Sequence, residues 1–120
     1  MKASEIIANQ AEKSGHDPQK VLLAVKNLVD QGNTILLREQ DTIFIITRAG
    51  GDAVEVTMCS ADGAMNLPKV VLSAMKKIKA SGAKIIYGDE EDQNLLEVFQ
   101  QIGVPFQPEN SGGHAWSAQI

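Results

Sequence analysis

The side chains able to do chemistry are few, and their spacing limits what they can do. His16 and His114 stand at opposite ends of the chain, and neither has the His-x-x-x-His spacing that puts two imidazoles on one helical face for a metal. His16 directly precedes Asp17 and reads as a solvated loop residue. His114 lies two positions before Trp116, the one tryptophan of the chain, and a ring of that size either covers a core or anchors an interface. The alternation around it favours the core. Cys59 is the one cysteine and sits in a strand-like run, where a small buried hydrophobe is the expectation rather than a nucleophile. A single cysteine also excludes an intrachain disulfide and a cysteine-based zinc site, and points to a reducing compartment. Lys76, Lys77 and Lys79 fall at the C-terminal end of a helical pattern, where the helix dipole already explains them without a phosphate-binding patch. No Walker loop is present, and no Ser-His-Asp or Cys-His pairing follows from spacing alone. No catalytic, cofactor-binding or metal-ligating residue is therefore assigned.

The elements that must position these residues centre on Lys84 to Gly103. An apolar run, Ile85-Ile86-Tyr87, passes through Gly88 and the acidic group Asp89, Glu90, Glu91 and Asp92 into an amphipathic helix with Leu95, Leu96, Phe99 and Ile102 on one face. Carboxylates suit the positive end of that helix, and Gly103 stops it. Upstream, Ser4 to Gly15 reads as a first helix capped by Ser4, and Asp17-Pro18 opens a second with the apolar stripe Val21, Leu22, Val25, Leu28 and Val29. From Asn33 the period changes to two. Thr34 to Arg38 and Thr42 to Thr47 form a hairpin, and Val54 to Cys59 a third strand with Glu55 on its polar face. A loop from Ser60 to Asn66 leads to a third helix, capped by Asn66, with Pro68 in its first turn and Leu67, Val71, Met75 and Ile78 on its apolar side. Lys84 to Tyr87 makes a fourth strand. Val104-Pro105-Phe106 is a short strand that is either at an edge or splayed, because proline cannot donate to a ladder from the middle of a sheet. Gln107 to Gly113 is a loop, and His114, Trp116, Ala118 and Ile120 alternate as a terminal strand.

The totals bound the rest. At 120 residues and 43% hydrophobic content the chain is expected to form one domain, 1–120, with a helical segment 1–33 and a sheet with two helices over 34–120. A net charge of −4, from 15 acidic and 11 basic residues, gives no overall attraction to nucleic acid or to an anionic membrane. No apolar run is long enough to span a bilayer, and Met1-Lys-Ala-Ser-Glu5 lacks a signal-peptide core. A soluble, intracellular protein is expected.

The order of elements from about Val54 to Ile120 resembles the second half of the GNAT N-acetyltransferase superfamily. Its fourth helix commonly carries a polar residue, an aromatic seven positions on and a glycine four beyond, and Asp92, Phe99 and Gly103 have that spacing. The chain is most similar to the small GNAT-like proteins of tailed bacteriophages, in which a helical segment replaces the usual N-terminal elements. The resemblance implies an α+β fold, with about four helices on a mixed, mainly antiparallel sheet of about six strands. It implies a parallel or splayed pair near Val54 to Cys59 and Lys84 to Tyr87.

The family holds acetyl-CoA pyrophosphate on backbone N–H groups of a glycine-rich loop before the third helix. The matching segment, Ser60 to Pro68, has one glycine, Gly63, no arginine, an acidic Asp62 and a proline that removes a donor. The resemblance makes Glu55 the counterpart of a strand glutamate acting as base. It puts Phe99, which has no hydroxyl, where a tyrosine would protonate the thiolate, while Tyr87 is expected to point elsewhere. The reading adopted is a non-catalytic GNAT-like structural or interaction protein without a cofactor, such as a bacteriophage virion component in the host cytoplasm or particle. Its partners would be virion proteins or further copies of the chain, with neither membrane nor nucleic acid. The alternative is a small acetyl-CoA-dependent N-acyltransferase. A third reading takes the first two helices and the hairpin as a winged helix, whose recognition helix offers only Lys20 and Lys26 against Asp17 and Asp30.

Overall fold

A computed structural model of the chain describes residues 1–109 and 113–120. In chain order the elements are α1 (Ala3–Lys13), α2 (Pro18–Asp30), β1 (Thr34–Glu39), β2 (Thr42–Arg48), β3 (Ala53–Ser60), α3 (Leu67–Ala80) and β4 (Ile85–Gly88). A 3-10 turn (Glu90–Asp92), α4 (Gln93–Ile102), β5 (Phe106–Pro108) and β6 (Trp116–Gln119) complete it. The strands form one sheet in the order β1-β2-β3-β4-β6-β5. Every pairing is antiparallel except β3 with β4, because α3 carries the chain back across the sheet before β4 begins, and a parallel neighbour needs such a crossover. Four helices on a six-stranded, mainly antiparallel sheet is the α+β arrangement expected.

The helices form two layers. α3 buries Val70, Val71, Ala74, Met75 and Ile78, and α4 buries Leu95, Val98 and Phe99, against Phe44, Val56, Ile86, Trp116 and Ala118 of the sheet. On the other face Ile6 and Ile7 of α1 and Val25 of α2 meet Ile43 and Cys59. The hairpin β1–β2 is thus part of the sheet and not a free wing. None of the helices among the described residues is long and apolar enough to cross a membrane.

Several boundaries differ from expectation for local reasons. α1 starts at Ala3, so Ser4 lies inside the helix rather than capping it. The Glu5 carboxylate reaches back to accept from the Lys2 N–H at 3.3 Å, which supplies the cap that Ser4 was expected to give. Asp17 does cap α2, accepting from the Gln19 N–H at 2.9 Å. Of the α2 stripe only Val25 is buried, and Leu28 and Val29 stay exposed, since α2 lies over α1 and the edge strand β1 and overhangs the sheet. Asn66 precedes α3 but its side chain makes no cap bond, because its backbone is already helical and bonded to the Gly63 carbonyl. β5 occupies Phe106–Pro108 instead of Val104–Phe106, since pairing with β6 resumes only after the donor missing at Pro105. The fourth and terminal strands are each shifted or shortened, to Ile85–Gly88 and Trp116–Gln119. Asn110 to Gly112, within the expected loop Gln107 to Gly113, lie outside the described residues.

Candidate functional site

β3 and β4 pair over only three positions, Ala53 with Ile85, Val54 with Ile86 and Glu55 with Tyr87, and then part. β3 runs on to Ser60 without β4 beside it, while the chain after Gly88 turns into the 3-10 turn. The cause is at Gly88, whose partner across the antiparallel pair is Trp116. A Cβ on Gly88 would come within 2.0 Å of the Trp116 indole, so glycine is what lets the indole pack against this end of β4. Trp116 Nε1 donates to the Asp89 carbonyl at 3.2 Å, and the Ala115 N–H donates to the Gly88 carbonyl at 2.9 Å. These bonds draw β4 toward β6 and away from β3. A cleft of about 530 Å³ lies between the free end of β3 and α4, with Met58, Ser60 and Val98 in its wall. A cleft of about 560 Å³ at the other end of β4 is lined by Asp52, Lys79 and Lys84. There the strands are paired, and Lys84 faces Asp52 at 4.0 Å.

At the root of the splay three ionisable side chains converge from separate segments. Glu55 is the last residue of β3 paired with β4, Asp89 follows β4, and His114 precedes β6. His114 Nδ1 lies 3.7 Å from Glu55 Oε2 and 3.9 Å from Asp89 Oδ1. The Tyr87 ring stacks on the imidazole with centroids 4.5 Å apart and planes 9° from parallel. Tyr87 was expected to point elsewhere. Its register opposite Glu55 puts both on one face, so the tyrosine belongs to this cluster. Burial and the neighbouring Asp89 charge raise the Glu55 pKa above the ordinary carboxyl value, against a smaller lowering from His114.

Asp92 is the deepest acid of the site, 5% exposed. Its Oδ2 accepts from the Asp89 N–H at 2.9 Å, closing the cap of the 3-10 turn. Burial pushes its pKa up to about 6; the Asp89 N–H works against this, and the charges of Asp89, Glu55 and Glu91 add to it. Cys59 is buried as expected, and burial with the Asp92 charge pushes its thiol up to about 11, far from a thiolate at neutral pH. His16 is exposed, but its Nε2 lies 2.7 Å from Glu91 Oε1, so it ties the α1–α2 turn to the 3-10 turn. Trp116, 2% exposed, is core, and Phe99 meets it edge-on with centroids 5.8 Å apart. Lys77 pairs with Glu39 across the sheet edge.

The segment from Ser60 to Asn66 is held by a closed ring of hydrogen bonds. The Asp62 N–H donates to Ser60 Oγ at 3.1 Å, Ser60 Oγ lies 2.6 Å from Thr42 Oγ1, and Thr42 donates to Asp62 Oδ2 at 2.7 Å. The Asp41 N–H donates to the same oxygen at 3.1 Å. The Asp62 carboxylate is therefore committed to the β1–β2 turn. The amides of Gly63, Ala64 and Met65 donate to no acceptor among the described residues. The charged residues of the cleft are Lys13 against Asp62, Glu91 and Glu97.

A splayed parallel pair, a crossover helix between its strands and a mainly antiparallel sheet together match known structures. An acetyltransferase of the GNAT family from Listeria monocytogenes superposes with a TM-score of 0.56 at 13% identity, over 98% of this chain and 86% of that one. One from Streptococcus pneumoniae gives 0.53 at 11% identity, over 98% and 94%. The chain has a GNAT-like fold. A Bacillus subtilis acetyltransferase solved in complex with CoA gives 0.50 at 16% identity, over 78% of this chain and 80% of that one. No family model matches the sequence, and no curated protein does. Within this GNAT-like frame the sequence pointed to Glu55, but not to Tyr87 or Asp89 beside it. The signal was the glycine after an apolar run: with Ile86 facing the core, alternation turns Tyr87 to the Glu55 side.

Proposed function

We propose that the chain is an acetyl-CoA-dependent N-acyltransferase of GNAT type, with Glu55 as general base. The observation that carries this reading is the parting of β3 and β4 after Glu55 and Tyr87, which leaves a carboxyl of raised pKa at the point where the two strands separate. A base is most effective when its pKa approaches the working pH, and both burial and Asp89 move Glu55 that way. Glu55 would take a proton from the amine as its nitrogen attacks the thioester carbonyl. The C–S bond then breaks and the CoA thiolate leaves. Phe99 is buried core without a hydroxyl, so the thiolate takes its proton from water. The segment from Ser60 to Asn66 would seat the pyrophosphate on the Gly63, Ala64 and Met65 amides, with Asp62 held back by Thr42 and Asp41.

A second reading has an observation of its own. Three carboxylates against one lysine in the cleft oppose a pyrophosphate, as they would in a non-catalytic GNAT-like interaction protein, such as a phage virion component bound to other virion proteins or to itself. Titration with acetyl-CoA separates the two. Under the enzymatic reading the melting temperature rises saturably, with about 2.7 kcal/mol of stabilisation at a hundredfold excess over Kd. Glu55→Gln then binds equally well and loses about 10²- to 10⁴-fold in turnover. An unchanged melting point at millimolar acetyl-CoA would leave the interaction reading standing.

A further inference from the structure

Acyl transfer would use one carboxylate at the root of the splay, yet three donors are gathered there. His114 Nδ1 is buried and has no hydrogen-bond partner among the described residues. Its distances of 3.7 Å to Glu55 and 3.9 Å to Asp89 are too long for N–H···O bonds, which run about 2.7–3.2 Å. A buried polar atom aimed between two carboxylates without reaching either calls for a bridging group. The donor atoms of the three side chains all lie within 4.8 Å of one another. Two ligands of a tetrahedral ion with bonds of 2.0–2.1 Å are about 3.4 Å apart, so small rotamer shifts would close the set on one ion.

The frame around the donors is rigid. Glu55 is fixed by its pairing with Tyr87, the Tyr87 ring holds the imidazole plane, and Ala115 and Trp116 tie the His114 side of the chain to Gly88 and Asp89. The Glu55 and Asp89 side chains are 35% and 47% exposed, while His114 is 16% exposed. An ion there would keep at least one position open to water. One imidazole nitrogen with two carboxylate oxygens suits a borderline first-row cation. Calcium asks for six to eight oxygens, and magnesium for an octahedron built largely of water.

We propose that Glu55, Asp89 and His114 form a three-ligand site for a divalent first-row cation, zinc by preference, with its remaining position open to solvent. Binding itself does not depend on acyl transfer. One consequence does rest on that reading: an ion on Glu55 ties up the lone pair the base would use, so zinc would inhibit turnover without displacing acetyl-CoA. The test is calorimetric titration of the chelator-stripped, intact chain with zinc chloride alone, with Co²⁺ as a spectroscopic stand-in. Saturable 1:1 binding is expected, together with the intense visible absorption of low-coordinate Co²⁺. His114→Ala and the near-isosteric Glu55→Gln should each weaken binding at least tenfold, while His16→Ala, which removes the other histidine, should leave it unchanged. Circular dichroism of each variant establishes that it is folded, and Glu55→Gln carries the test if His114→Ala is not. The site is overturned if no zinc binds, or if a folded Glu55→Gln binds as tightly as the original chain. Because acetyl-CoA is absent, these outcomes are independent of whether the acyltransferase reading survives.

Discussion

At the scale of single residues, Asp92 and Gly88 have effects that can be measured. An aspartate ordinarily titrates near 3.8, and Asp92 is pushed up to about 6. Between those values the folded chain binds more protons than the unfolded one, so stability falls as pH rises through this window. The contribution is full below about pH 4 and lost above about pH 6. At 1.36 kcal/mol per pH unit the difference is ~3 kcal/mol. Asp92→Asn keeps an oxygen to accept from the Asp89 N–H but carries no proton to lose. Its urea stability minus that of the original chain should therefore rise by roughly 2–3 kcal/mol between pH 4 and pH 7.5; a flat difference would show that Asp92 is not the buried acid described. Gly88→Ala acts by volume alone. The added methyl would come within 2.0 Å of the indole of a buried Trp116, and overpacking of this kind costs about 1–3 kcal/mol or more. Trp116→Phe frees some of that space, so the double variant should lose less than the sum of the two single losses in a denaturation cycle. Strict additivity would contradict the contact.

At the scale of elements, the segment before α3 depends on the β1–β2 turn. Thr42 is fully buried and serves both Ser60 and Asp62. Thr42→Val keeps the shape and removes the hydroxyl, leaving both partners short of a bond, at a cost of about 1–3 kcal/mol. Amide exchange at Asp62 to Met65 should speed up more than exchange in α4. Equal acceleration in both would mean that the ring does not hold the segment. This tie joins residues twenty positions apart in sequence, and no local pattern marks it. What sequence does mark is local: the switch from helical to alternating period at Asn33, the Asp17-Pro18 start and the Gly103 stop, which takes the left-handed φ of 78°. Exact ends were less legible: at Ser4 and Asn66 a bond three residues away displaced the expected cap, and after Pro105 pairing with β6 set where the strand begins. The candidate site was legible only at Glu55. Tyr87, Asp89 and His114 join it through register and the crossing of Trp116, which are long-range facts.

At the scale of the whole molecule, the terminal strand lies between β4 and β5, so the sheet is completed by the end of the chain and β6 offers no free edge to a partner. Pairing order of this kind cannot be read from periodicity, because Trp116 to Gln119 would alternate identically at an edge. The two faces of the sheet are covered unequally: α3 and α4 bury a broad cluster, whereas α1 and α2 hold theirs through few residues, with Cys59 beneath them. This makes the single thiol a reporter of the thinner layer. If α1 and α2 lift from the sheet before the rest unfolds, Cys59 should be labelled by a thiol reagent under native conditions at a rate that depends only weakly on denaturant. Ile7→Ala removes buried volume from that layer at a cost of about 2–5 kcal/mol and should accelerate labelling directly. Val71→Ala, which weakens the opposite layer, should accelerate labelling only where global unfolding becomes the route. A labelling rate with the same denaturant slope as global unfolding in both variants would mean that the layers open together. Distinct slopes would locate the weakest part of the structure in α1 and α2, the helices that the His16–Glu91 pair ties to the site.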